Sequence, residues 1–97
     1  MATLHIEHAI TDLPTWLRAF NSFAEARRSA GVIAERVHQP VEDDQYIYVQ
    51  LDFGDTRAAE EFLQFLRNVV WASPEASPGL AGSPTGRVLT VVTPDLS

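Results

Sequence analysis

Gln45-Tyr46-Ile47-Tyr48-Val49-Gln50-Leu51-Asp52-Phe53 is the clearest strand in the chain. Ile47, Val49, Leu51 and Phe53 fall on one side; Tyr46, Tyr48, Gln50 and Asp52 fall on the other. A period of two, rich in β-branched and aromatic residues, belongs to a strand with one face in a core. Upstream, Pro40 to Asp44 reads as a polar turn carrying Glu42-Asp43-Asp44, whose spacing is not that of a calcium loop. Val32 to Gln39 reads as another strand, with Val32, Ala34, Arg36 and His38 on one side and Ile33, Glu35 and Val37 on the other.

Gly31, behind Arg27 and Arg28, marks the end of a helix. That helix begins after Asp12, a natural N-cap, with Pro14 in its first turn. Leu13, Trp16, Leu17, Phe20, Phe23, Ala24 and Arg27 recur at three and four, so the aromatic residues read as core. Thr3 to Ile10 alternates again, with Leu4, Ile6, His8 and Ile10 on one face, and His8 reads as a partly buried polar residue near the strand end. Downstream of Phe53, Gly54 punctuates and Asp55 or Thr56 caps a second helix running to about Trp71. Its buried face carries Ala59, Phe62, Leu63, Leu66, Val69 and Val70. Residues 72–86 contain three prolines and three glycines, which argues for a long loop of the lid or binding type. Arg87 to Thr93 reads as the last strand, stopped by Pro94.

The order β-α-β-β-α-β predicts an α+β, ferredoxin-like single domain over residues 1–97. Four antiparallel strands carry both helices on one face. Leu4, Ile6, Ile33, Val37, Ile47, Val49, Leu51, Phe53, Leu89 and Val91 are expected under the helices. The opposite face then carries His5, Glu7, Arg36, His38, Tyr46, Tyr48, Gln50 and Asp52 together with Val32, Ala34, Val88, Thr90 and Val92. Apolar and charged groups on one exposed face would leave a sizeable patch in water. The expected solution is a homodimer with two sheets packed face to face, its polar groups lining a cavity and Val88 at the interface.

The composition excludes several chemistries. The chain has 97 residues, of which 27 are Val, Ile, Leu or Phe, enough for a core. It lacks cysteine, so disulfides, thiol catalysis and thiolate zinc sites are impossible. All seven cations are arginine, which removes P-loop and Schiff-base lysines. A net charge of −6 disfavours polyanions, so no nucleic acid is expected. No apolar run approaches the ~20 residues of a membrane helix, and the start lacks a basic n-region. No membrane partner is expected, and a cytoplasmic bacterial protein is.

His5 and Glu7 lie two apart on one strand face and suggest a base with its orienting carboxylate. Arg36, His38, Tyr48 and Gln50 are the expected ligand-binding residues around them. The same groups also fit a purely structural network in which Arg36 pairs with Glu7, across the sheet or between subunits. His5, Glu7 and His38 have the chemistry of metal ligands, but their strands are separated by a third. That puts the imidazoles roughly 10 Å apart, so neither a metal nor any other cofactor is expected. No histidine identifies itself as an axial haem ligand. Trp71, beside the Pro/Gly-rich segment, reads as an anchor for that segment or as the wall of a ligand cavity.

Several residues resemble the dimeric α/β-barrel superfamily. Ile10-x-Asp12-x3-Trp16-x3-Phe20-x2-Phe23-Ala24-x2-Arg27-x3-Gly31-Val32 looks like the first helix of its small members. Asp43-Asp44 before a Val/Leu-rich strand, Phe53-Gly54-Asp55, and Gly82-x-Pro84 fit the same pattern. The resemblance covers most of the chain through caps, core aromatics and turns. It implies a ferredoxin-like protomer and a dimer. The superfamily includes antibiotic-biosynthesis-type monooxygenases, haem-degrading enzymes, polyketide cyclases and muconolactone isomerases, and this chain looks most like the small bacterial members. Two functional expectations follow. One is a small dimeric protein that binds a hydrophobic or aromatic ligand in the barrel cavity. The other is a cofactor-independent monooxygenase, cyclase or isomerase on an aromatic or polyketide-like substrate, with His5 as base. Function does not follow from such a fold alone.

Overall fold

A computed structural model describes residues 1–92. The strands are β1 (Ala2–Ile10), β2 (Val32–His38), β3 (Tyr46–Phe53) and β4 (Leu80–Thr90); the helices are α1 (Leu13–Ser22), α2 (Ala24–Ala30) and α3 (Thr56–Phe65). The sheet is antiparallel, in the order β2-β3-β1-β4. This is the predicted ferredoxin-like topology. The long central pairing of β1 with β3 sets Leu4 opposite Leu51 and Ile6 opposite Val49. These side chains and Phe53, Ile47 and Ile10 are buried with Trp16, Ala59, Phe62 and Leu63 of the helices in one core.

The caps act as their chemistry dictates. Asp12 accepts from the Thr15 amide at 2.8 Å, and Asp55 accepts from the Ala58 amide at 2.8 Å. Each satisfies an amide that the first helical turn leaves without a carbonyl. Gly31 adopts φ 98° and closes α2 in the left-handed conformation that glycine tolerates best.

Four features depart from the sequence expectations. The first helix is not continuous: Phe23, at φ −100° and ψ 14°, breaks it into α1 and α2. The second helix does reach Trp71, but its last five residues, Leu66–Val70, widen into a π-helical turn.

The predicted loop over 72–86 is also too long. β4 starts at Leu80 and runs through Gly82, Pro84 and Gly86. Proline is tolerated because β4 is an edge strand paired only with β1. The register jumps between Glu7↔Thr85 and Ala9↔Ala81, so two extra residues of β4 bulge out and Pro84 lies among them. Thr93 and Pro94, the predicted end of this strand, lie outside the described residues.

The face assignments of β2 and β4 need correction. Val88 pairs with Leu4 and turns towards the helices, where it packs against the core, while Leu89 pairs with Thr3 on the opposite face. Thr90, opposite Ala2, likewise lies on the helix side, and Val91 and Val92 follow the strand, exposed. In β2 the register shifts between Val32 and Ala34, which places Val32 opposite Phe53 on the helix side and leaves Ile33 62% exposed. One extra residue inverts the faces of everything before it in the strand. The helix-free face, called the open face below, loses Val32, Val88 and Thr90 and gains Leu89, Arg87 and Thr85.

Candidate functional site

Three irregular stretches meet above the helix side of the sheet. They are the break at Phe23, the π-turn before Trp71, and the turn-rich segment Ser73–Gly79. Between them lies a cavity of about 80 Å³, open on one side. Ile6, Trp16, Phe20, Phe62, Phe65 and Trp71 form much of its wall. Trp16 and Phe20 stack at 4.9 Å, a consequence of their four-residue spacing on α1. The π-turn is marked by a bond from the Trp71 amide to the Leu66 carbonyl at 2.7 Å, which swings the indole over the cavity. Trp71 thus walls the cavity, which Ala76, Ser77 and Pro78 of the Pro/Gly-rich segment also line.

Three polar side chains reach this apolar space: His8, Arg27 and Ser77. The Ser77 hydroxyl donates to the Ser73 carbonyl at 2.9 Å. Arg27, buried at the end of α2, donates through Nε to Glu35 at 2.8 Å and through Nη1 to the Phe20 carbonyl, with its guanidinium 3.7 Å from the Phe20 ring centroid. The sequence assigned Arg27 to a helix end; in the fold it locks α2 to β2 and to the last turn of α1. His8, on the helix side of β1, is 4% exposed and has its Nδ1 2.8 Å from the Ala9 carbonyl. Removal from water disfavours the imidazolium and pushes its pKa below the ordinary histidine value, only partly opposed by the Ala9 bond.

The open face holds the residues singled out from the sequence. His5 pairs with Gln50, Arg36 with Gln50, and His38 with Tyr48 across the strands. Arg36 forks onto Asp52 with two bonds of 2.9 Å and reaches Gln50 at 3.2 Å. Gln50 Nε2 lies 3.2 Å from His5 Nδ1, His5 Nε2 lies 3.8 Å from Glu7, and Tyr46 donates to Glu7 at 3.2 Å. Thr3 donates to Asp52 at 2.8 Å. The Arg36 fork, helped by Thr3, holds the Asp52 carboxyl down at about 2. Desolvation, then Glu7, pushes the Tyr46 phenol up. Within the chain Arg36 pairs with Asp52 and not with Glu7, the partner expected across the sheet. His38 sits at the margin of β2, exposed, opposite the Tyr48 that packs edge-on to Tyr46 at 5.3 Å.

Sequence reasoning missed two things here. Arg87 pairs with His5 on the open face and forms no ion pair among the described residues. The last strand is apolar at both parities, so no period in the sequence fixes the face on which Arg87 lies. The helix-side cavity was missed because its walls come from β1, both helical stretches and the segment before β4, which no local period brings together.

No family model and no curated protein matches the sequence. Solved structures do share the fold. One, an antibiotic biosynthesis monooxygenase, is 14% identical at a TM-score of 0.66, covering 96% of this chain and 100% of that one. A monooxygenase of Streptomyces coelicolor in complex with the ligand nanaomycin D is 14% identical at 0.64, covering 99% and 91%. A dimeric ferredoxin-like protein from an uncultured marine organism is 9% identical at 0.63, covering 97% of each chain.

Proposed function

We propose that this chain is a homodimeric small-molecule-binding protein that takes a compact aromatic or apolar molecule into the helix-side cavity. The observation that carries this reading is the cavity itself: a space walled by aromatic side chains and bounded by two interruptions of helical structure. Such π-turns concentrate at functional sites. At about 80 Å³ the space is smaller than the roughly 150 Å³ void that holds benzene, and well below the ~300 Å³ of larger ligand pockets. Its open side and divided wall favour a single-ring molecule that enters with small shifts of α1, rather than a multi-ring one.

The open face is the surface read as meeting a second copy. It carries two arginines (Arg36, Arg87) against two carboxylates (Glu7, Asp52), although the whole chain carries −6. A charge-balanced face can meet its own copy without repulsion. Leu89 and the tyrosine pair supply the apolar share, and the marine ferredoxin-like neighbour is described as dimeric. In this arrangement His5, Glu7, Arg36, His38, Tyr48 and Gln50 line the dimer interior. His5 as a general base has less support, because its ring is already held between Gln50 and Glu7.

Thermal unfolding with benzene, toluene, phenol and indole tests the cavity. A ligand at a hundred times its Kd adds about 2.7 kcal/mol. For a chain of this length that raises Tm by roughly 10–20 °C. No shift with any of the four at millimolar concentration sinks the binding reading.

A further inference from the structure

His8 has no packing reason to be a histidine. Leu4 and Ile6 precede it on the same face of β1 and are buried, as is Ile10 after it. A fourth aliphatic group would fill the position without any polar atom to satisfy. Among the described residues only His8 and Arg27 are buried polar or charged side chains, and all three guanidinium nitrogens of Arg27 bond Glu35 or the Phe20 carbonyl.

The ring's two nitrogens have different fates. Nδ1 faces a carbonyl, which can only accept, so Nδ1 carries the proton. That fixes the tautomer and leaves Nε2 with a lone pair. No hydrogen bond reaches Nε2 among the described residues, yet every side-chain nitrogen or oxygen sealed from the surface there has a partner. Nε2 is therefore accessible, and His8 is one of the residues that line the cavity. The ring lies 6.3 Å from that of Trp16, on the cavity wall. An acceptor at the edge of an otherwise aromatic space matches a molecule with one donor.

We propose that His8 Nε2 is the acceptor that selects, for this cavity, single-ring molecules bearing one O–H or N–H donor on an apolar body. The proposal rests on the cavity being a ligand site. Arg27 has no acceptor atom; Ser77 Oγ, although it donates to the Ser73 carbonyl, keeps its lone pairs and is the competing acceptor that the His8 variants separate from His8.

Phenol and toluene have nearly the same shape and differ by a hydroxyl against a methyl, so they isolate this contact. The full chain is titrated with each by calorimetry, alongside His8→Leu and His8→Gln. The unaltered protein is expected to bind phenol at least as tightly as toluene. Burying a hydroxyl without a partner would invert that order. His8→Leu is expected to weaken phenol by about 10- to 100-fold while toluene stays within about threefold, and His8→Gln, which keeps an acceptor, to recover part of the loss. In the unaltered protein, imidazole nitrogen NMR is expected to show phenol, and not toluene, moving the Nε2 resonance; this arm stands even where a variant fails to fold. Toluene binding with phenol at least tenfold weaker overturns the role of His8 and leaves the cavity reading standing. Equal losses of both probes in His8→Leu overturn it as well, marking a packing role. If neither probe binds, the cavity reading falls and this inference with it.

Discussion

Leu51→Ala puts the cavity to a quantitative test. Leu51 lies on the helix side of β3, is 1% exposed, and lines the cavity. Trimming it removes three buried carbons, a transfer loss of about 2.4 kcal/mol at roughly 0.8 kcal/mol per methylene. The void left behind adds up to about 2.5 kcal/mol where neighbours cannot collapse. Collapse is hindered here: Leu4 stands opposite Leu51 on β1, and the cavity already lies alongside. The expected cost is therefore about 3–5 kcal/mol, out of a total that for most domains is 5–15 kcal/mol. Urea unfolding at neutral pH measures it as a fall in midpoint of about 1–5 M at a slope of about 1–3 kcal/mol per molar. The second arm is the sharper one. The enlarged space should approach the size that holds benzene, so benzene should stabilise the variant more than the parent protein. A cost below about 1 kcal/mol, or an equal benzene response in both proteins, would refute the claim that Leu51 walls a fillable space.

Three further outcomes are expected. Asp52→Asn removes the acceptor of the Arg36 fork. Because Asp52 titrates at about 2 in the fold against 3.8 otherwise, its contribution is present above pH 5 and lost as pH falls towards 2. Solvent screening at the half-exposed Arg36 brings the expected deficit to about 1 kcal/mol at pH 7, and thermal melts from pH 7 to 2 should show parent and variant converging. Gly79→Ala should destabilise by 2 kcal/mol or more in chemical denaturation: Gly79 has φ 88°, its added Cβ would meet the Trp16 backbone at 2.9 Å, and a left-handed conformation alone costs about 1–2 kcal/mol. Leu89→Asp should shift a dimer towards monomer in sedimentation at micromolar concentration, whereas Val88→Asp should unfold the protein, since Val88 faces the core. An unchanged sedimentation coefficient for Leu89→Asp contradicts the open face as the interface.

The strengths and failures of the sequence reading have a common physical origin. Alternation in Tyr46–Phe53 and Thr3–Ile10 was right residue by residue, because both strands are central and regularly paired. Asp12, Asp55 and Gly31 were legible because capping involves groups within three residues of one another. The edges behaved differently. Pro84 and the three glycines read as strand breakers, yet an edge strand has one side without a partner and tolerates a missing donor. The one-residue bulge at Ile33 inverted the expected face of Val32, whereas Val88 was misplaced because Val88, Leu89, Val91 and Val92 are apolar at both parities and leave the strand's facing open.

The sequence by itself determined the element order, the ferredoxin-like topology, the core aromatics and the excluded chemistries. Those properties depend on local period, on capping and on which residue types are present. The tertiary structure decided which face Arg87, Val88 and Leu89 occupy, that Arg36 takes Asp52, and that His8 borders an aromatic cavity with Trp71 and Ser77. Bulges are set by pairing with a neighbouring strand, and a cavity by elements up to some seventy residues apart. Neither leaves a period in the chain to be read.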